Sequence, residues 1–158
     1  MSYTALVLDE QAQNFLQGAA LAFPPDGLPA EWVTKSDKEP GLCHHMTICM
    51  GEPKEGMDVR VGEKAYFVVS SVAKDERVMA VAGEAYYEDG EPVPSTNDKK
   101  HVSLAIKYSE DGTRRIGKPF HSNLLNEWQS FSFCLEVRLE NNSGRSEIKL
   151  TGIVRIVE

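Results

Sequence analysis

Strand-like runs of apolar and β-forming residues recur along the whole of this chain, and only one stretch carries helical spacing. The runs are Tyr3–Leu8, His44–Met50, Ala65–Ala73, Val78–Tyr87, His101–Tyr108, Phe131–Leu139 and Glu147–Val157, with a shorter one at Glu31–Lys35. Polar or Gly/Pro-containing turns separate them, and Lys74-Asp75-Glu76-Arg77 joins two as an antiparallel hairpin. The exception follows Asp9, a suitable helix cap. There Phe15, Leu16, Ala19, Ala20 and Phe23 recur at helical spacing, which predicts a helix over roughly 10–22, stopped by Pro24-Pro25-Asp26-Gly27. The expectation is an α+β (α/β) chain of about seven strands with mostly antiparallel pairing.

The 158 residues fit a single domain, 1–158, long enough to bury a core without disulfide or metal staples. Cys43, Cys49 and Cys134 match no zinc spacing and read as buried free thiols in a reducing compartment. MSYTALVLDEQ lacks the basic start and apolar core of a signal peptide, and no apolar run reaches membrane-spanning length. A cytoplasmic protein is expected. The net charge of −7 disfavours a long nucleic acid as partner, because such binding rests on neutralising phosphates. A small anion remains accessible to a few local cations and backbone donors.

Chemistry enters through alternation within two strands. Neighbouring strand residues point to opposite faces. In the first strand Met46, Ile48 and Met50 form the apolar, core-facing set, so His45 and Thr47 point away from it together. In the second, Val102, Leu104 and Ile106 face the core, and His101 and Ser103 point away. Each strand thus presents one imidazole and one hydroxyl on its non-core face. Two imidazoles flanking a phosphate can serve as general base and general acid near neutral pH. Two hydroxyls can donate hydrogen bonds to non-bridging oxygens as charge builds there. His45, Thr47, His101 and Ser103 are the candidate catalytic residues, and this chemistry needs neither metal nor cofactor. His44 alternates to the opposite face and reads as a hydrogen-bonded structural histidine. With His44 and His45 pointing apart and no carboxylate suitably spaced, a metal site is not expected.

His44-His45-Met46-Thr47-Ile48, with Gly51 nearby, resembles the first motif of the 2H phosphoesterase superfamily, and His101-Val102-Ser103-Leu104-Ala105 resembles the second. Tyr3-Thr4-Ala5-Leu6 and Lys118-Pro119-Phe120-His121-Ser122-Asn123 are similar to outer features of the branch that holds the phage anti-CBASS phosphodiesterases and RNA-repair-like proteins. The resemblance implies a bilobal fold, two small antiparallel sheets facing across a central cleft, one motif from each. It implies metal-independent cleavage of cyclic di- or trinucleotide immune signals, with His45 and His101 as the acid–base pair, in the host cytoplasm if the chain is phage-encoded. Serine at 103 replaces the commoner threonine. Two alternatives stand beside it: a 2′,3′-cyclic phosphodiesterase acting on RNA ends, and a non-catalytic module that binds a nucleotide.

Further candidates are substrate contacts. Tyr3 and Trp128 can stack on a base, and Lys118 can meet a phosphate. Trp32 is read as packing. His121 is placed near the cleft border, and Lys99-Lys100 could draw an anion toward His101. Glu136 and Glu147 could read a base edge, though nothing local selects either.

Overall fold

The computed structural model describes residues 2–22, 27–130 and 148–158. The expected strand Phe131–Leu139, the turn Asn141-Asn142-Ser143-Gly144, Cys134, Glu136, Glu147 and part of the turn after the helix lie outside these. Within them the elements are β1 (Tyr3–Leu8), α1 (Glu10–Leu21), β2 (Trp32–Thr34), β3 (His45–Met50), β4 (Lys64–Lys74), β5 (Val78–Tyr87), β6 (His101–Lys107), β7 (Gln129–Ser130) and β8 (Ile148–Val157). A 3-10 segment, Pro119–Leu124, lies between β6 and β7. The class is α+β.

Asp9 caps α1 as expected, its carboxylate accepting from Ala12 N at 2.8 Å. Ala12, Leu16, Ala19 and Ala20 form the buried stripe of the helix. It packs into one core with Leu6 and Leu8 of β1, Met46 and Ile48 of β3, Phe67 of β4, Val81 of β5, Leu104 of β6 and Val154 of β8.

All strand pairs among the described residues are antiparallel. Two sheets are expected from the resemblance, but the described strands form one curled sheet of order β2-β6-β5-β4-β8-β1-β3, with β7 beside β4. β8 makes it continuous, pairing with β4 along one edge and β1 along the other. Twist and bulges bend such a sheet, and here its two ends meet. Cys43, just before β3, donates its N–H to Ser103 O of β6 at 2.8 Å. Reciprocally, Thr96 in the approach to β6 donates to Ile48 O of β3 at 2.8 Å, and Ser95 Oγ donates to Thr47 O at 2.8 Å.

The bulges sit at equivalent places. On β3, Thr47 pairs with Ala5 and Cys49 with Thr4, so Ile48 is the extra residue. On β6, Ser103 pairs with Ala80 and Ala105 with Met79, so Leu104 is the extra residue. In both strands the bulge comes immediately after the His-x-hydroxyl triplet. It also corrects one expectation. Beyond Ile48 the alternation inverts: Cys49 is buried, and Met50, read as a core residue, is 59% exposed.

Close approach of β4 and β5 depends on Gly83. A Cβ at this position would lie 1.8 Å from Val68 O. Gly83→Ala is expected to cost about 1–3 kcal/mol or more through backbone displacement, measurable by urea unfolding. An unchanged midpoint would contradict that packing.

Candidate active site

The curl brings the two motifs to one cleft. His45 and Thr47 of β3 and His101 and Ser103 of β6 line a cavity of ≈ 350 Å³, together with Met50, Thr96, Asn97, Phe120 and Asn123. Alternation places the imidazoles and hydroxyls on this face, and the bulges begin only after them.

His101 is 9% exposed, and its Nδ1 lies 2.8 Å from Lys99 O. A carbonyl only accepts, so Nδ1 carries a proton and the neutral ring has its lone pair on Nε2. Burial lowers its pKa, partly offset by the bond to Lys99. His45 is half-buried, with Tyr3 packed on it at a centroid distance of 4.9 Å. Burial, then the neighbouring His44 and His101, push its pKa down to about 4.

His44 is not directed away from His45 as strand alternation would require. Cys43, with φ 58°, turns the chain just before β3 begins at His45. The two Nδ1 atoms of His44 and His45 consequently lie 3.1 Å apart. His44 is therefore the expected hydrogen-bonded histidine, but bonded to a motif residue. Cys43, in this turn, and Cys49, in β3, are both buried free thiols.

The Lys118–Asn123 segment backs the second motif. Ser103 Oγ lies 3.1 Å from Pro119 O and 2.8 Å from Ser122 Oγ, with Ser122 itself buried. Ser122 and Asn123 of this segment, and Asn97 and Met50 elsewhere, are cleft residues that the sequence pattern does not single out. Only the Ser122-Asn123 end of the outer feature carried a signal for any of them.

Beyond His101 the cleft opens into a second hollow of ≈ 530 Å³, which shares Thr96, Asn97, His101 and Asn123 with the first and adds Asp98, Lys99, Ser122, Leu125 and Trp128. Lys99 Nζ sits 5.2 Å from the Trp128 ring centroid. Other candidates lie elsewhere. Tyr3 supports His45. Lys118 is exposed, with Nζ over the Phe120 ring at 5.9 Å. His121 accepts from Lys118 N at 3.0 Å and so closes the 3-10 turn. Lys100 is paired with Glu84 at 2.8 Å. Trp32 is buried under Lys74, as packing. Among the described residues no group of His, Cys, Asp and Glu could hold a metal ion, and no helix is long and apolar enough to cross a membrane.

No family model, curated protein or solved structure matches this chain. The functional reading accordingly rests on the residues and their geometry.

Proposed function

We propose that this chain is a metal-independent phosphodiesterase of the 2H type that hydrolyses cyclic di- or trinucleotide signals in the cytoplasm, as the phage anti-CBASS enzymes do. One observation carries the reading: two imidazole–hydroxyl pairs, remote in sequence, line a single cleft. In this reading the two ends of the curled sheet, with β3 at one and β6 near the other, correspond to the two lobes of the 2H fold.

One histidine takes the proton of the attacking hydroxyl and the other protonates the leaving oxygen. Thr47 Oγ1 and Ser103 Oγ hydrogen-bond the non-bridging oxygens. Ser103 can turn its proton from the Pro119 carbonyl to phosphate while still accepting from Ser122, a chain in which each bond polarises the next. The hollow beyond His101 favours an internal phosphodiester, with nucleosides on both sides of the phosphate. Trp128 offers a stacking face there, and Lys99 a cation beside the carboxylate of Asp98. A nucleoside 2′,3′-cyclic phosphate needs only one of the two hollows.

The test is incubation with a panel of cyclic di- and trinucleotides in EDTA, products read by mass. Intact substrates throughout would overturn the reading. Turnover of nucleoside 2′,3′-cyclic phosphates alone would move it to RNA ends, and tight binding without cleavage to a sequestering module. Thr47→Ala and Ser103→Ala are each expected to lower kcat on the order of 10²-fold, measured on the best substrate of the panel. Full activity in both would remove the hydroxyls from the mechanism.

A further inference from the structure

The geometry points to His44 as the positioning residue that sets which histidine is the acid: it holds His45 in the Nε2–H form and passes it a proton. This rests on the phosphodiesterase reading and on the tautomers of the two motif histidines. His101 donates Nδ1–H to Lys99 O, which leaves its Nε2 as a lone pair and suits it to be the base. The acid must then present N–H to the leaving oxygen. His45 can do so from Nε2 only if its Nδ1 accepts.

The 3.1 Å contact between the two Nδ1 atoms supplies that condition. Exactly one proton can occupy an Nδ1···Nδ1 bond. If His45 donated it, both motif histidines would have bare Nε2 atoms and no acid would exist. If His44 donates it, His45 carries its proton on Nε2. The groups facing the pair are His101, across the cleft, Lys35, beside His44, and Tyr3, on the ring of His45.

The transfer balances when the pair carries one extra proton, on His44 Nε2. His45 Nε2–H bonds to the leaving alkoxide and releases its proton there. The His44 Nδ1 proton crosses to His45 Nδ1. His44 is left with Nε2–H and His45 with Nδ1–H, both neutral, and the alkoxide has become an alcohol. An anionic phosphate bound beside the pair favours uptake of the extra proton.

Histidine tautomers can be read by long-range ¹H–¹⁵N NMR, and the chain has only 4 histidines to assign. The expected spectrum at neutral pH shows His45 protonated at Nε2 and His101 at Nδ1. His44→Ala should release His45 into a mixture of tautomers. His44→Asn, whose amide N–H can take the Nδ1 position, should restore the Nε2–H form. In turnover, both variants should lose on the order of 10²-fold in kcat with KM unchanged, because neither alanine nor asparagine relays a proton. Wild-type His45 protonated at Nδ1, or His44→Asn with full kcat and an unaltered pH profile, would overturn the inference. The NMR arm needs no substrate. A protein that cleaves no phosphodiester would therefore fail the proposed function while the tautomers of His44, His45 and His101 are still determined.

Discussion

Replacing either His45 or His101 by alanine is expected to lower turnover of a cyclic dinucleotide by on the order of 10²–10⁴-fold while leaving the fold in place. The two rings meet one cleft from different strands, and in-line displacement needs a proton removed on one side of phosphorus and supplied on the other. Losing either one breaks the same sequence of proton transfers, so the double variant should be little worse than the worse single variant. Circular dichroism and a thermal melt report the fold, and mass-resolved time courses report activity. Wild-type rates in the double variant would sink the acid–base mechanism.

The second large effect is acid sensitivity of the fold itself. Burial lowers the pKa of His44, His45 and His101, that of His45 to about 4. In the unfolded chain each lies near 6.5. Between those values the unfolded chain binds protons that the folded chain refuses. The stabilisation is therefore full above about pH 6.5 and is lost as pH falls toward 4, His45 alone accounting for about 3 kcal/mol. That is a large share of a typical net stability of roughly 5–15 kcal/mol. Urea unfolding at pH 7.5, 5.5 and 4.5 should show the decline, and His45→Gln should flatten it. A wild-type stability that does not vary across this range would contradict burial of the neutral rings.

Much of this was legible in the chain. Strand positions followed from composition and turn residues, and the helix from Asp9 and the Leu16–Ala20 spacing. Pairing His45 with Thr47 and His101 with Ser103 on one face followed from alternation alone. Alternation failed at Met50 and His44, each beside a backbone irregularity: the bulge at Ile48 and the left-handed turn at Cys43. Neither residue type announces its conformation, since both follow from how the strand meets its neighbours. The two-residue β7 was missed because so short a pairing leaves no periodic pattern. The joining of expected sheets into one was hidden for another reason. It depends on β8 reaching β1, a contact between sequence-distant segments that no local pattern encodes. Ser122 and Asn97 are cleft residues only because the segments that carry them pack against β6 and β3.

The strand order carries a consequence for how the protein is made. β8 contributes no residue to the cleft, yet β1 and β3 join the rest of the sheet's ladder through it. A chain emerging from the ribosome can form the β4–β5–β6 meander early, with His101 and Ser103 already in place. Among the described strands, β1 and β3 gain their laddered connection to that sheet when residues 148–157 are synthesised; before then His45 and Thr47 can meet it through the Cys43–Ser103, Thr96–Ile48 and Ser95–Thr47 hydrogen bonds alone. Full assembly of the cleft is thus a late event in translation, and a chain cut short before residue 148 keeps all four motif side chains but lacks the β8 ladder that ties β1 and β3 to the rest of the described sheet.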